Sequence, residues 1–318
     1  SQKMIDTFGQ PRERNSQITT RDKDLAYSLQ HRFEVVYLEL INKLYKQVSI
    51  DHLSLAGGCA LNSVANGMVF DNTPFKSMTI QPAAGDDGLA LGAALYVSRS
   101  ILGDGDRWVM ENAYLGTKYS EEQMEKALLE RGVKYKKLNR GELVQRTAKD
   151  IASAKVIGWF QGRMEWGPRA LGNRSILAHP GHPEMKDILN SRIKHRENFR
   201  PFAPSVLADR QSDLFERSES SPHMLHVYKI KKEWRQRLCA VNHLDNTGRL
   251  QSVRKTENPL YYELIERFND LTGIPVILNT SFNENEPIVE HPSQAIDCYL
   301  RTKMDTLVLG PFFCSKDD

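Results

Sequence analysis

The chain contains no uninterrupted apolar run near the roughly 20 residues that a helix needs to cross a bilayer, and residues 1–20 lack the apolar core of a secretory signal. A cytoplasmic protein with no membrane attachment is the expectation. Cysteine is scarce as well: Cys59, Cys239, Cys298 and Cys314 lie far apart, and no two share a CxxC spacing. This argues against a disulfide framework and for reduced thiols. A large excess of one charge is also missing, because the formal net charge is only +3. Generic tracking of a nucleic-acid backbone is therefore disfavoured, and basic residues must act in local clusters. Finally, the chain opens Ser1-Gln2-Lys3 with no initiating methionine, which reads as an excised or processed end.

What is present is enough length, 318 residues, for two domains and a sizeable core. Leu25, Leu29, Val36, Leu40 and Leu44 recur at helical steps, so residues 22–47 read as one long amphipathic helix. The period then changes. "IDHLSLAGGCALNSVANGMVF" is a short strand, a glycine turn and a helix, and "SMTIQPAAGDDGLALGAALYVS" repeats that scheme. Such units in succession indicate an α/β fold. Texture becomes polar near "ILGDGDRW", which places a domain boundary between Arg99 and Tyr114 and divides the chain into residues 1–105 and 106–318. Beyond it, Ser120 and Gln123 form a capping-box pattern for a helix ending near Gly132, a second helix covers 142–152, and "KVIGWF" reads as a buried strand.

That strand runs directly into "GRMEWGPRALGNRSI", residues 162–176. Its glycines and proline break every candidate helix, so Arg163, Arg169 and Arg174 lie on a loop with Glu165 as the sole acid. Any one of these arginines could equally be structural. As a set they fit phosphate or carboxylate recognition by guanidinium forks. Two more basic stretches follow, "KHRENFRPFAP" (194–204) and "DNTGRLQSV" (245–253). A strand at Ile274–Leu278 then releases Asn279, Thr280, Ser281 and Asn283 at its carboxyl end, where open α/β sheets place ligands. In "AGGCALN" the glycines serve either a tight turn or the approach of backbone amides to a phosphate, with Asn62 reaching back. "AGDDG" is by default a solvated acidic turn. The spaced histidines His179/His182 and His223/His226 are not read as metal ligands, since Pro180 and Gly181 prevent the helix that would align the first pair. His195 and His291 read as structural or peripheral.

Six of these segments, "LAGGCALNSVANG", "QPAAGDDGLALGAAL", the arginine loop, "KHRENFRPFAP", "DNTGRLQSV" and "LNTSFNENEPIVEHPSQAI", stand in the order seen in O-carbamoyltransferases. From about residue 8 onward the chain resembles the nodulation, cephamycin and tobramycin enzymes of that family. The resemblance implies a partial actin-like ATPase module, similar to the tRNA threonylcarbamoyl transferase, followed by an α/β module similar to threonylcarbamoyl-AMP synthase. It further implies ATP-dependent activation of carbamoyl phosphate to carbamoyl-adenylate and transfer to the hydroxyl of a small-molecule acceptor. Lys194 and Arg200 would be catalytic. Arg169, Arg249, Asn279 and Ser281 would bind carbamoyl phosphate and nucleotide, Met224 would line the base site, and Gly57, Gly58 and Asn62 would hold the adenylate phosphate. Asp86 would be a ligand of a divalent metal, with iron the metal implied. The family's first portion, with the paired histidines of that metal site, is not in these 318 residues, so the metal site and the transfer step are expected to be incomplete. A binding module without turnover and an RNA-binding relative of the tRNA-modifying enzymes remain as alternatives, and a homodimer is left open.

Overall fold

The computed structural model describes residues 1–14, 16–106 and 108–316. The chain divides into two compact units, Ser1–Leu53 with Met68–Met78, and Ser54–Gly67 with Thr79 onward. The first unit carries α1 (Gln2–Phe8) and α2 (Thr20–Val48). A capping box between Thr19 and Asp22 starts α2, and Ser49 in the left-handed region ends it. The helix is slightly longer than its apolar period suggests. Its stripe is largely exposed, with Leu29 at 75% and Leu40 at 65%, and Ile41 is its buried residue. Tyr45 packs edge-on against Phe75 at 5.1 Å.

Two strand–turn–helix units follow: β1 (His52–Leu55) with α3 (Ser63–Asn72), and β2 (Ser77–Ile80) with α4 (Leu89–Tyr96). β1 and β2 pair, and the Gly57 amide donates to the Ala84 carbonyl at 2.7 Å, so the two glycine turns lie side by side. Next come α5 (Glu121–Glu130), β3 (Lys136–Lys137), α6 (Arg140–Ala152), β4 (Ile157–Phe160), β5 (Arg174–Ala178), α7 (Met185–Arg192), β6 (Ala203–Leu207) and α8 (Gln211–Leu214). The chain continues through β7 (Val227–Lys229), β8 (Thr247–Arg249), β9 (Gln251–Val253), α9 (Pro259–Thr272), β10 (Val276–Ser281), α10 (Pro292–Arg301), β11 (Thr306–Leu309) and β12 (Phe312–Ser315). The Ser120/Gln123 capping box is present, and a second one, Asn139 with Glu142, starts α6 at residue 140.

Eight strands form one mixed sheet in the order β3-β12-β11-β4-β5-β10-β6-β9. Only β11/β4 and β6/β9 run parallel. The rule for ligands at the carboxyl edge of an open parallel sheet therefore does not carry over. β10 is also longer than its sequence suggests. Flanked by β5 and β6, it pairs through Asn279 and Ser281, so these residues are held in the sheet and not released beyond it. The core covers β4, β5, β10 and β11, with Trp159, Phe160 and Phe282 fully buried together with Phe268 of α9.

Candidate functional site

The arginine loop is built around its one acid. Glu165 is buried, and its Oε1 accepts the backbone amides of Leu171 at 2.7 Å, Asn173 at 2.8 Å and Arg174 at 3.3 Å. Burial raises its carboxyl above the ordinary range, against the lowering effect of those amides and of Arg174. Gly172 closes the turn at φ +105°, and a Cβ there would lie 2.2 Å from the Tyr261 ring, so only glycine fits.

Two of the three loop arginines hold the loop itself. Arg174 begins β5, lies 3.6 Å over the Phe160 ring, and donates to the carbonyls of Asn173 and Gly162 at 3.0 and 3.3 Å. Arg163 donates to the Gly116 carbonyl at 3.0 Å. Arg169 differs. Its terminal nitrogens make no hydrogen bond among the described residues; its Nε, like that of Arg174, is buried without an acceptor, and burial alone depresses its guanidinium.

Arg169 shares its surroundings with cations from other segments. Burial, then the like charges of Arg169 and Arg196, push Arg249 at the end of β8 down to about 9. No hydrogen bond or salt bridge engages the Arg169 or Arg249 guanidinium among the described residues. Lys194, 3% exposed just beyond α7, donates from Nζ to Ser281 O at 2.7 Å and Ser281 Oγ at 3.3 Å. It also donates to Asn283 O at 2.8 Å and Asn283 Oδ1 at 2.6 Å. Those neutral oxygens favour the ammonium, whereas burial first and Arg196 second oppose it and bring it down to about 7. Arg196 thus repels both Lys194 and Arg249, and Arg249 also repels Arg169, a run of largely desolvated like charges of the kind that an anion relieves.

The other residues expected at the site occupy distinct places. Arg200 is exposed and paired with Glu197 at 2.9 Å, and its charge opposes that of Arg196. Ser281 is the direct partner of Lys194. Asn279 is fully buried, and its amide nitrogen donates to Ala170 O, Ser205 Oγ and Gln251 Oε1. Met224, buried at φ +56°, packs with Leu171 and Ala203 and forms an apolar wall beside the loop. Asn283 is one of the polar residues expected at the end of the Ile274–Leu278 strand, with no role given to it, whereas Arg196 is not among the expected site residues. Arg196 is fixed by Asn190 Oδ1 at 2.7 Å and by the Phe202 ring at 4.8 Å. Its place two residues from Lys194 was the available signal.

At the amino-terminal turns, Gly57 has φ +95°, and a Cβ on Gly57 or Gly58 would meet nothing within 4 Å, so the backbone faces open space there. Asn62 Oδ1 accepts the Ala65 amide at 3.1 Å and caps α3. Asp86 is exposed at the start of a single 3-10 turn. Among the described residues no group of three or more His, Cys, Asp or Glu could hold a metal ion, and a lone carboxylate does not retain iron against water. The residues present here do not fit that metal. His226 is buried and His223 half-buried, and desolvation pushes each imidazole down to about 4 and keeps it neutral.

The mixed α/β unit thus carries desolvated cations on the arginine loop, on the segment after α7 and at the end of β8. Family models give the class a name: the carbamoyltransferase C-terminus matches residues 148–316 and the carbamoyltransferase N-terminus matches residues 1–95. The chain belongs to the carbamoyltransferase family. It is 42% identical to an uncharacterized protein of Synechocystis sp. over 99% of this chain and 56% of that protein. Nodulation protein NolO of Bradyrhizobium diazoefficiens is 39% identical over 96% of this chain and 57% of its own length. Nodulation protein U of Rhizobium fredii is 36% identical over 73% of this chain and 38% of that protein. The chain therefore spans about half the length of the curated relatives it matches. Among solved structures, full-length HypF in its phosphate- and nucleotide-bound form superposes on 52% of this chain and 20% of its own, at 18% identity and a TM-score of 0.36. No helix among the described residues is long and apolar enough to cross a membrane.

Proposed function

We propose that this chain is the activating part of an ATP-dependent O-carbamoyltransferase. In this reading residues 106–318 are the module that forms carbamoyl-adenylate, and residues 1–105 are part of an actin-like module that passes the carbamoyl group to a small-molecule hydroxyl. Water cleaves carbamoyl phosphate to carbamate and phosphate. A carbamate oxygen then attacks the α-phosphorus of ATP and expels pyrophosphate, and the acceptor oxygen later attacks the carbamoyl carbon, releasing AMP and a proton. Arg169, Arg249 and Arg196 bind the phosphate oxygens, Lys194 follows the charge that moves between them, and Arg200 guides anions from the rim. Ser281 and Asn283 hold Lys194 in place. The open backbone at Gly57 and Gly58, beside the Asn62-capped start of α3, receives the adenylate phosphate. No step is routed through a metal, because no group of three or more His, Cys, Asp or Glu among the described residues could hold one.

The observation that carries this reading is the pair of buried guanidiniums Arg169 and Arg249, which no carboxylate engages among the described residues, near the buried Lys194 held by the neutral oxygens of Ser281 and Asn283. It is tested by exchange of labelled pyrophosphate into ATP in the presence of carbamoyl phosphate. Exchange is expected, and both Lys194→Met and Arg249→Met should abolish it. Calorimetric binding without exchange would replace this reading with a binding module; neither binding nor exchange would sink it.

A further inference from the structure

Three buried side chains on neighbouring strands take no part in the chemistry above, and they form a hydrogen-bonded network in which Asn279 Oδ1 is left without a partner among the described residues. Ser205 on β6, Gln251 on β9 and Asn279 on β10 lie on adjacent strands at 0%, 2% and 0% exposure. Ser205 pairs directly with Gln251, and Asn279 pairs with Ala203, two residues from Ser205 on the same face. Ser205 Oγ donates to Gln251 Oε1 at 2.7 Å, and Asn279 Nδ2 donates to the same oxygen at 3.1 Å. These bonds orient the Gln251 amide so that its nitrogen points away from the sheet, where it donates to the Leu171 carbonyl at 2.7 Å. Asn279 Nδ2 adds a longer bond, 3.3 Å, to the Ala170 carbonyl. The network thus grips the two loop residues that follow Arg169, while Gln251 itself follows Arg249 by two residues.

This arrangement counteracts a specific force. Arg169 and Arg249 repel each other, and no acid among the described residues intervenes. With no anion bound, that repulsion drives the loop away from the strand. The shortest bond from the network to the loop is the one made by Gln251. We propose that Gln251 is a positioning residue, locking the arginine loop to the strand run that carries Arg249, so that two repelling guanidiniums are preset as one anion-binding fork. The ordering cost is then met during folding and not on binding, which is what preorganisation contributes to affinity. The role rests on the reading of the cluster as the phosphate site.

A double-mutant cycle separates positioning from simple support of the fold. Pyrophosphate and carbamoyl phosphate are titrated calorimetrically into the full chain, into Gln251→Met, into Arg169→Met and into the double variant. If Gln251 acts through Arg169, Gln251→Met weakens binding by about tenfold when Arg169 is present and by less than about twofold when it is absent, a coupling of the size seen between residues of one network. Urea midpoints should shift equally in both backgrounds. Equal affinity losses in the two backgrounds, or no loss in either, would overturn the positioning role and leave the site reading intact. Failure of the unsubstituted chain to bind either anion would overturn both. Should Gln251→Met fail to fold, Gln251→Glu serves instead. Its carboxylate cannot donate to Leu171 O, so affinity should recover as pH is lowered and the acid form restores that donor; a flat pH response relative to the unsubstituted chain would reject the proposal.

Discussion

Lys194 is a lysine whose ordinary value of 10.5 is brought to about 7 by burial first and by Arg196 second. The sign of the consequence follows from proton counting. Between pH 7 and 10.5 the unfolded chain binds more protons at this position than the folded one, so this group's destabilising contribution is full below pH 7 and is relieved as pH rises through that window. An anion reverses the preference by favouring the ammonium. Binding of pyrophosphate at pH 8 should therefore take up a proton, and affinity should fall as pH climbs above about 7. Calorimetry in two buffers of different ionisation enthalpy measures the uptake directly, and Lys194→Met should remove it. A binding enthalpy independent of the buffer would contradict this account.

At the scale of the element, the arginine loop behaves as a rigid part because Glu165, Gly172 and Arg174 fix its path from within. Gly172→Ala combines a positive φ with a side-chain clash against Tyr261, and should cost about 2 to 4 kcal/mol. Urea unfolding followed by tryptophan fluorescence checks this, since Trp159 Nε1 donates to the Gly172 carbonyl at 2.8 Å; an unchanged midpoint would refute it. The loop also shows what a sequence discloses. Its glycines and proline announce irregular backbone, and the capping residues Ser120 and Gln123 announce a helix, because both effects are local. The three arginines could not be sorted in that way. Arg174 turns structural through the Phe160 ring, and Arg169 is left unpaired because Glu165 is spent on three amides; both depend on contacts that no short spacing encodes. Strand β10 was read too short for the same reason, its continuation through Asn279 and Ser281 being set by neighbours β5 and β6.

For the whole molecule, a formal net charge of +3 spread over 318 residues leaves little long-range field, and the concentrated positive charge lies recessed at Lys194, Arg196 and Arg249. Labelled tRNA should consequently bind weakly, with a shallow dependence on salt. Fluorescence titration at two salt concentrations distinguishes this from the RNA-binding alternative, in which neutralised phosphates give a steep slope. The order of the large sheet carries a further consequence, this time for the protein's birth. β12 is inserted between β3 and β11, and β11 lies against the central β4. Two strands late in the order of the described residues thus take interior positions. While the chain is being translated, β4 gains β5 on one edge soon after it is made, but its other edge waits for roughly 150 further residues before β11 emerges, on the order of ten to thirty seconds at ribosomal speed. Throughout that interval a bare apolar strand edge stands open, and it is there that a nascent-chain chaperone would find its grip.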